Sequence, residues 1–336
     1  MTCAQRAHRA VLSALPTVRN EDLILVACSG GRDSLALAAA AVQALTCHVG
    51  AVIINHQLQD GSDQVAEQAA SQCAELGLDP VRIMNITVPS TGAGLEADAR
   101  DARYEALART AHDVGAAYVL VAHTSDDVAE TILIKLLRTP SIEALTGMDA
   151  EREFKGVHFV RPFLTLSRAD TTALCQEWGL HYWDDPTNGE SVDGELDADF
   201  PLRSKIRHDV LPLLSRVSGR NSVELLASSA QRSREDFEII RESVHNAYAH
   251  IMREKNGVPE IKIRALRTFS PAIQRRVVAQ ALENMGIKPS QSAVSDILQL
   301  ADVEQKKKTI QISSPLIANK LYEVIQLWKD SNYANF

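Results

Sequence analysis

Residues 23–45 place the strongest constraint on what this chain can fold into. Leu23 to Val26 is an apolar run too short for a helix and bounded by charge, which predicts a buried parallel strand. Leu35 to Leu45 is dense in Ala and Leu and predicts a helix. Between them stands Cys28-Ser29-Gly30-Gly31-Arg32-Asp33-Ser34. Glycine lets a backbone turn sharply and approach a ligand closely. A helix N-terminus offers unpaired N–H groups and about half a positive charge to an anion. The two hydroxyls add donors, and Asp33 can hold a Mg2+ that bridges phosphates. The physical reading is a phosphate cradle. Neither GxxxxGK(S/T) nor a GxGxxG after a strand is present, so it is not one of the common nucleotide loops.

The surroundings extend the pattern. Candidate strands are Leu23–Cys28, Val49–Ile54, Val81–Ile86 and Tyr118–Val121, with helices over 34–45, 62–77 and 95–114 between them. This alternation implies an α/β fold, a doubly wound parallel sheet of Rossmann-like type. Ligands then sit beyond the C-terminal strand ends, near the reversal of strand order. After the second strand comes Asn55-His56-Gln57-Leu58, where His56 either touches a nucleotide or hydrogen-bonds its own loop. Glu96, Arg100, Arg103 and Tyr104 share one helix face, which is either solvated or turned to grip phosphates. After the fourth strand comes Ala122-His123-Thr124-Ser125-Asp126-Asp127-Val128-Ala129-Glu130-Thr131. Ser125 is the expected N-cap, and first-turn acids suit the helix dipole. Asp126, Asp127 and Glu130 nevertheless cluster where the ligand belongs, able to hold Mg2+ or attract an ammonium group.

At 336 residues the chain is expected to form two or three domains. Its five cysteines are scattered without a C-x-x-C pair, which fits a reducing cytosol and offers no zinc or iron–sulfur site. The start, Cys3 to Leu15, reads as an amphipathic first helix rather than a targeting peptide. A net charge of −8 argues against nonspecific nucleic-acid binding. That charge is unevenly spread: residues 1–200 carry about −15, residues 201–280 about +7, and the rest about zero. An acidic stretch, 189–199, reads as a mobile loop. It is followed by Arg203, Lys205, Arg207 and His208, which suit a polyanion. Trp178 and Trp183 are core residues by default, with base stacking as the alternative. Beyond lie a long helix over 216–255, helices 271–285 and 290–301, and strands Lys308 to Ile312, Leu316 to Asn319 and Tyr322 to Leu327. The expected organisation is a catalytic domain over 1–215 and a smaller, mainly helical domain with short terminal strands over 216–336.

The SGGRDS order at 29–34 resembles the PP-loop of ATP pyrophosphatases. With it come NHQL at 55–58, EADARDARY at 96–104, AHTSDDVAET at 122–131, RPFL at 161–164, DDPTN at 184–188 and LRSKIR at 202–207. Together these resemble the tRNA(Ile)-lysidine synthetases, closely over 20–215 and more weakly over 216–330. The chain departs from that family's pattern at Thr124, Val128 and Ser204. The resemblance implies ATP and Mg2+ as reactants and tRNA(Ile) with a CAU anticodon as substrate. The wobble cytidine, position 34, is adenylated at O2 with loss of pyrophosphate. The ε-amine of free L-lysine then attacks C2 and releases AMP. It also implies phosphate binding by Ser29, Gly30, Gly31, Arg32 and Ser34, and Mg2+ on Asp33. His56 and Arg100 are expected near the nucleotide, and Asp127 and Glu130 about lysine or metal, one of them accepting its proton. Arg203, Lys205 and Arg207 are expected on tRNA phosphates. A cytoplasmic location follows, and the oligomeric state is left open, a homodimer included. The rival readings are a PP-loop synthetase acting on a small molecule and a noncatalytic nucleotide-binding module.

Overall fold

The computed structural model describes residues 1–57, 61–90, 92, 94–139, 141–185, 192, 194–304, 306–313 and 316–329. Leu58, residues 186–191 and residue 193 lie outside the described residues, and with them part of the acidic stretch. The chain divides into two compact units, Met1–Arg234 and Glu235–Phe336. Among the described residues no helix is long and apolar enough to cross a membrane.

The first unit begins with α1 (Cys3–Ala14), β1 (Leu23–Ala27), α2 (Arg32–Ala44), β2 (His48–Asn55), α3 (Ser62–Glu75), β3 (Val81–Asn85), α4 (Leu95–Val114), β4 (Tyr118–Val121) and α5 (Ser125–Arg138). It continues with α6 (Ile142–Leu145), β5 (Glu151–Phe154), β6 (Val157–Val160), α7 (Arg168–Glu177), α8 (Leu202–Lys205) and α9 (Leu211–Ser218). The sheet order is β3-β2-β1-β4-β6-β5. All neighbours are parallel except β5, which runs antiparallel to β6.

Period-two alternation sorts the core into two layers. Ile24, Val26, Val49, Ala51 and Ile53 face a cluster built with α1, α2, α3 and α7, whereas Leu25 and Val52 face the α4 residues Tyr104, Leu107, Ala108 and Ala111. A parallel sheet covered on both faces explains why its strands read as continuous apolar runs. The alanines of α2, buried from Ala36 to Ala41, let α1 and α7 pack close against that helix. The reversal of strand order falls between β1 and β4, which brings the loop after β1 beside the segment after β4.

Three local expectations change. The N-cap of α5 is Thr124, not Ser125, because the Asp127 carboxylate accepts from both the Thr124 N–H (2.8 Å) and its hydroxyl (3.1 Å). Outside the candidate strands, the residues before Arg161 form a hairpin, β5–β6, turned by Lys155 and Gly156 at positive φ. The helix expected over 216–255 is interrupted twice. Gly219, at φ +66°, ends α9, and α10 runs only over Ser222–Ile251. Residues Met252–Lys255 and Val258–Lys262 are strands β7 and β8, joined by Asn256 and Gly257 at φ +52° and +75°, the geometry that Asn-Gly favours.

The second unit holds α11 (Ile263–Leu266), α12 (Pro271–Asn284), α13 (Gln291–Asp302), β9 (Lys307–Ser313), β10 (Leu316–Leu321) and β11 (Val324–Lys329). Its antiparallel sheet, order β7-β8-β11-β10-β9, therefore has five strands where three were expected. Val277, Leu282, Ile297 and Leu300 of its helices pack on Ile261, Ala318, Ile325 and Leu327 of the sheet. Tyr322 stands in the turn between β10 and β11 rather than in a strand.

Candidate active site

The loop between β1 and α2 is held by its own hydroxyls. The Ser34 hydroxyl donates to the Gly31 carbonyl (2.9 Å) and accepts from the Ser29 N–H (3.1 Å), and the Ser29 and Ser34 oxygens are 3.2 Å apart. The Gly31 N–H reaches Ser29 Oγ at 3.4 Å, and the Gly30 carbonyl accepts from the Trp183 N–H at 3.0 Å. Gly30 takes φ +78°, and a Cβ there would stand 3.0 Å from Ala69 Cβ. Gly30→Ala is expected to destabilise the first unit by about 1–2 kcal/mol. Urea denaturation with a parallel measurement of ATP binding checks this, because the strained loop should lose affinity as well.

Asp33, in the first turn of α2, is joined to α7. The Thr171 hydroxyl donates to its Oδ1, Arg168 Nε lies 3.6 Å from Oδ2, and Arg32 Nε lies 3.9 Å from Oδ1. Burial pushes the Asp33 carboxyl above its ordinary range, opposed by the Thr171 hydrogen bond and by Arg168. Among the described residues no group of three or more His, Cys, Asp or Glu could hold a metal ion. Mg2+ is ordinarily bound by one or two carboxylates together with substrate phosphates, a donor set that Asp33 beside the loop fits.

Asp127 and Glu130 stand on α5 among arginines. Arg168 Nη2 donates to Asp127 Oδ1 and Arg168 Nη1 to Glu130 Oε1, both at 3.1 Å. Glu130 is fully buried and accepts also from Arg203 Nη1 (3.0 Å), Arg207 Nε (2.7 Å) and Arg207 Nη2 (3.3 Å). Burial raises the Asp127 carboxyl, but Arg168, His123, the Thr124 N–H and Arg203 outweigh it and hold it at about 2. Burial lowers the Arg168 guanidinium while Asp127, Glu130 and Asp33 raise it, with a net rise. Asp126 turns elsewhere: its Oδ2 accepts from the Arg168 N–H at 2.9 Å.

A cavity of about 810 Å3 opens over these elements. Its lining includes Ser29, Gly31, Arg32, Asp33, Ser34, His56, Arg103, Asp127, Arg168, Trp183 and Arg207. His56 Nδ1 is buried without a hydrogen-bond partner among the described residues, and burial, then Arg103, lower the imidazole's proton affinity. Burial also lowers the Arg103 guanidinium, which lies over the Tyr104 ring at 5.8 Å. Arg161 ties the rear wall together, donating to His123 Nδ1 (3.2 Å), the Asp149 carbonyl (2.8 Å) and the Tyr104 hydroxyl (3.0 Å). Burial drives His123 down to about 3, against the pull of Asp127, so its imidazole is neutral.

The structure thus brings Ser29, Gly31, Arg32, Asp33, Ser34, His56, Asp127 and Arg207 to one cavity, with Gly30 supplying the bend. Arg100 is exposed and lies over the Tyr104 ring at 5.8 Å, outside that lining. Glu130 and Arg203 stand behind it, paired with each other, and Lys205 Nζ donates to the Ala198 carbonyl at 2.5 Å. Trp178 packs against the core while Trp183 borders the cavity. Sequence reasoning gave no role to Arg168 or Thr171. The available signal was a cation at the first position of a helix, where the dipole disfavours positive charge.

Known proteins resemble this chain over most of its length. The PP-loop domain family matches residues 3–214, and the TilS substrate binding domain matches residues 262–314. The tRNA(Ile)-lysidine synthase of Bifidobacterium longum subsp. infantis is 40% identical over 99% of this chain and 92% of that protein. The tRNA(Ile)-lysidine synthase of Streptomyces coelicolor is 41% identical over 81% of this chain and 74% of that protein. Among solved structures, the U34-tRNA thiolase NcsA from Methanococcus maripaludis superposes with a TM-score of 0.54 at 17% identity, covering 68% of this chain and 78% of that one, a likeness of fold.

Proposed function

Because the chain belongs to the tRNA(Ile)-lysidine synthase family, we propose that the 810 Å3 cavity is where ATP, the wobble cytidine and free lysine meet. The protein is an ATP-using enzyme that forms lysidine in tRNA. In the detailed reading, the loop Ser29–Ser34 receives the ATP phosphates and Asp33 holds Mg2+, whose charge offsets that of the leaving pyrophosphate. His56 presents a neutral imidazole to the nucleotide, and Arg100 belongs to its outer approach. Cytidine O2 attacks the α-phosphorus, and the adenylated base then takes lysine at C2 with departure of AMP.

The lysine amine has a reference pKa near 10.4, so presenting it neutral at pH 7 costs about 4–5 kcal/mol. Transfer from water lowers that cost, and a nearby carboxylate can receive the proton. What favours Asp127 over Glu130 as the group facing lysine is that Asp127 lines the cavity, whereas both Glu130 oxygens already accept from guanidinium groups. In this reading residues 1–215 form the catalytic domain and 216–336 the tRNA-binding domain. Arg203, Lys205 and Arg207 form the basic segment that adjoins the anticodon, and the reaction takes place in the cytoplasm.

The observation that carries the reading is the convergence of the glycine-serine loop, Asp33 and Asp127 on one cavity at the strand-order reversal. The test supplies purified protein with radiolabelled lysine, ATP and tRNA. Label in tRNA with matching AMP and pyrophosphate is the expected result. ADP as product, or AMP formed without any need for tRNA, overturns it.

A further inference from the structure

Three carboxylates from two different elements share one cation. The first unit supplies Asp33 from α2, and Asp127 and Glu130 from α5, and the Arg168 guanidinium from α7 lies 3.6, 3.1 and 3.1 Å from them respectively. The arginine is itself pinned. Ser167 caps α7 by accepting the Asp170 N–H at 3.2 Å, Asp170 accepts the Ser167 N–H at 2.9 Å, and Arg6 of α1 clamps Asp170. The Arg168 N–H adds a bond to Asp126, so both ends of the residue are fixed by acids. A planar fork suits this task, because separate N–H groups reach separate carboxylates in fixed directions.

We propose that Arg168 is a positioning residue of the lysidine-forming site, holding Asp33, Asp127 and Glu130 at one spacing and setting the net charge that the cavity presents to its ligands. Arg168 works through the acids and makes no bond in the reaction. The identity of those ligands rests on the function proposed above. Other partners remain when the guanidinium is removed. Glu130 keeps Arg203 and Arg207, Asp127 keeps the two Thr124 donors, and Asp33 keeps the Thr171 hydroxyl and Arg32. The acids therefore stay in the site with one positive charge fewer among them. An anionic ligand should then bind more weakly and a cationic one more tightly. A residue that serves only packing predicts no such split in sign.

The experiment measures dissociation constants for ATP and for lysine, separately and by calorimetry, on the full chain and on Arg168→Met and Arg168→Lys, with turnover alongside. Arg168→Met is expected to weaken ATP about tenfold and to tighten lysine about threefold, while kcat falls about a hundredfold. Arg168→Lys restores the charge but not the fork. Its two affinities should return to within about threefold of the parent, with kcat still about tenfold down. If Arg168→Met lacks a cooperative unfolding transition, Arg168→Gln carries the same sign test. Affinities that move together, lysine binding that fails to tighten, or full turnover in Arg168→Lys overturns the proposal. A parent protein that binds ATP but not lysine sinks the functional reading instead. ATP and n-butylammonium, a generic cation, then decide the charge argument by the same opposite shifts.

Discussion

Asp33→Asn is expected to cut AMP release by about a thousandfold while leaving thermal unfolding nearly unchanged. Asparagine keeps the shape of the side chain, and its carbonyl oxygen can still accept the Thr171 hydroxyl that ties α2 to α7. Arg168 keeps Asp127 and Glu130 as partners, so no buried guanidinium is stranded by the change. What disappears is the negative charge at the mouth of the phosphate loop, the group assigned to Mg2+. Charge neutralisation at the leaving pyrophosphate is the main demand of the adenylation step, so the loss falls on kcat for that step. Quantifying AMP and pyrophosphate from a single turnover, beside a thermal melt, checks both halves. Near-normal turnover would falsify the assignment of Asp33. A large loss of stability would show instead that its charge serves the fold.

The loop was readable because everything that makes it is local in sequence. A strand, a pair of glycines, two hydroxyls and a helix lie within residues 23–45, and the bond from Ser34 back to Gly31 spans three residues. Tyr118–Val121 and Leu95–Val114 were likewise legible from apolar runs and helical spacing alone. The carboxylate cluster after β4 was half legible. Its acids are neighbours in sequence, but Arg168, Arg203 and Arg207 reach Glu130 from 38, 73 and 77 residues away. Spacing along the chain carries no information about that closure. The basic run at 203–207 therefore read as a surface for a polyanion, although two of its arginines meet an acid of the same unit. A different lesson comes from β7 and β8. The Asn256-Gly257 pair is a strong local hairpin signal, but the helical spacing over 216–255 points to one continuous helix. There the local rule was available, and the longer helical pattern obscured it.

Glu130→Gln is expected to lower the unfolding free energy of the first unit by about 3 kcal/mol, with Glu130→Asp intermediate. Glu130 is fully buried, and its two oxygens accept four N–H bonds from three arginines. An amide cannot satisfy that arrangement. One of its ends becomes a donor facing guanidinium donors, and the compensating charge is gone. Removing one member of a buried ionic group costs far more than the group contributes as a whole, because the remaining charges keep their desolvation penalty. Arg168 and Arg203 retain Asp127 at 3.1 and 3.7 Å, which limits the loss and argues against complete unfolding. A double-mutant cycle with Arg207→Met isolates the shorter pair, at 2.7 Å, and its coupling should reach about 1.5 kcal/mol or more. Urea midpoints at constant slope supply the numbers. The same variant separates two roles for this acid. If Glu130 anchors arginines, Glu130→Gln loses stability, and adenylation and lysine attack decline together. If it accepts the lysine proton, stability holds, the adenylated tRNA accumulates, and only the second step fails. Four donors already committed to its oxygens favour the anchor, and leave Asp127, which borders the cavity, as the acid that faces the amine.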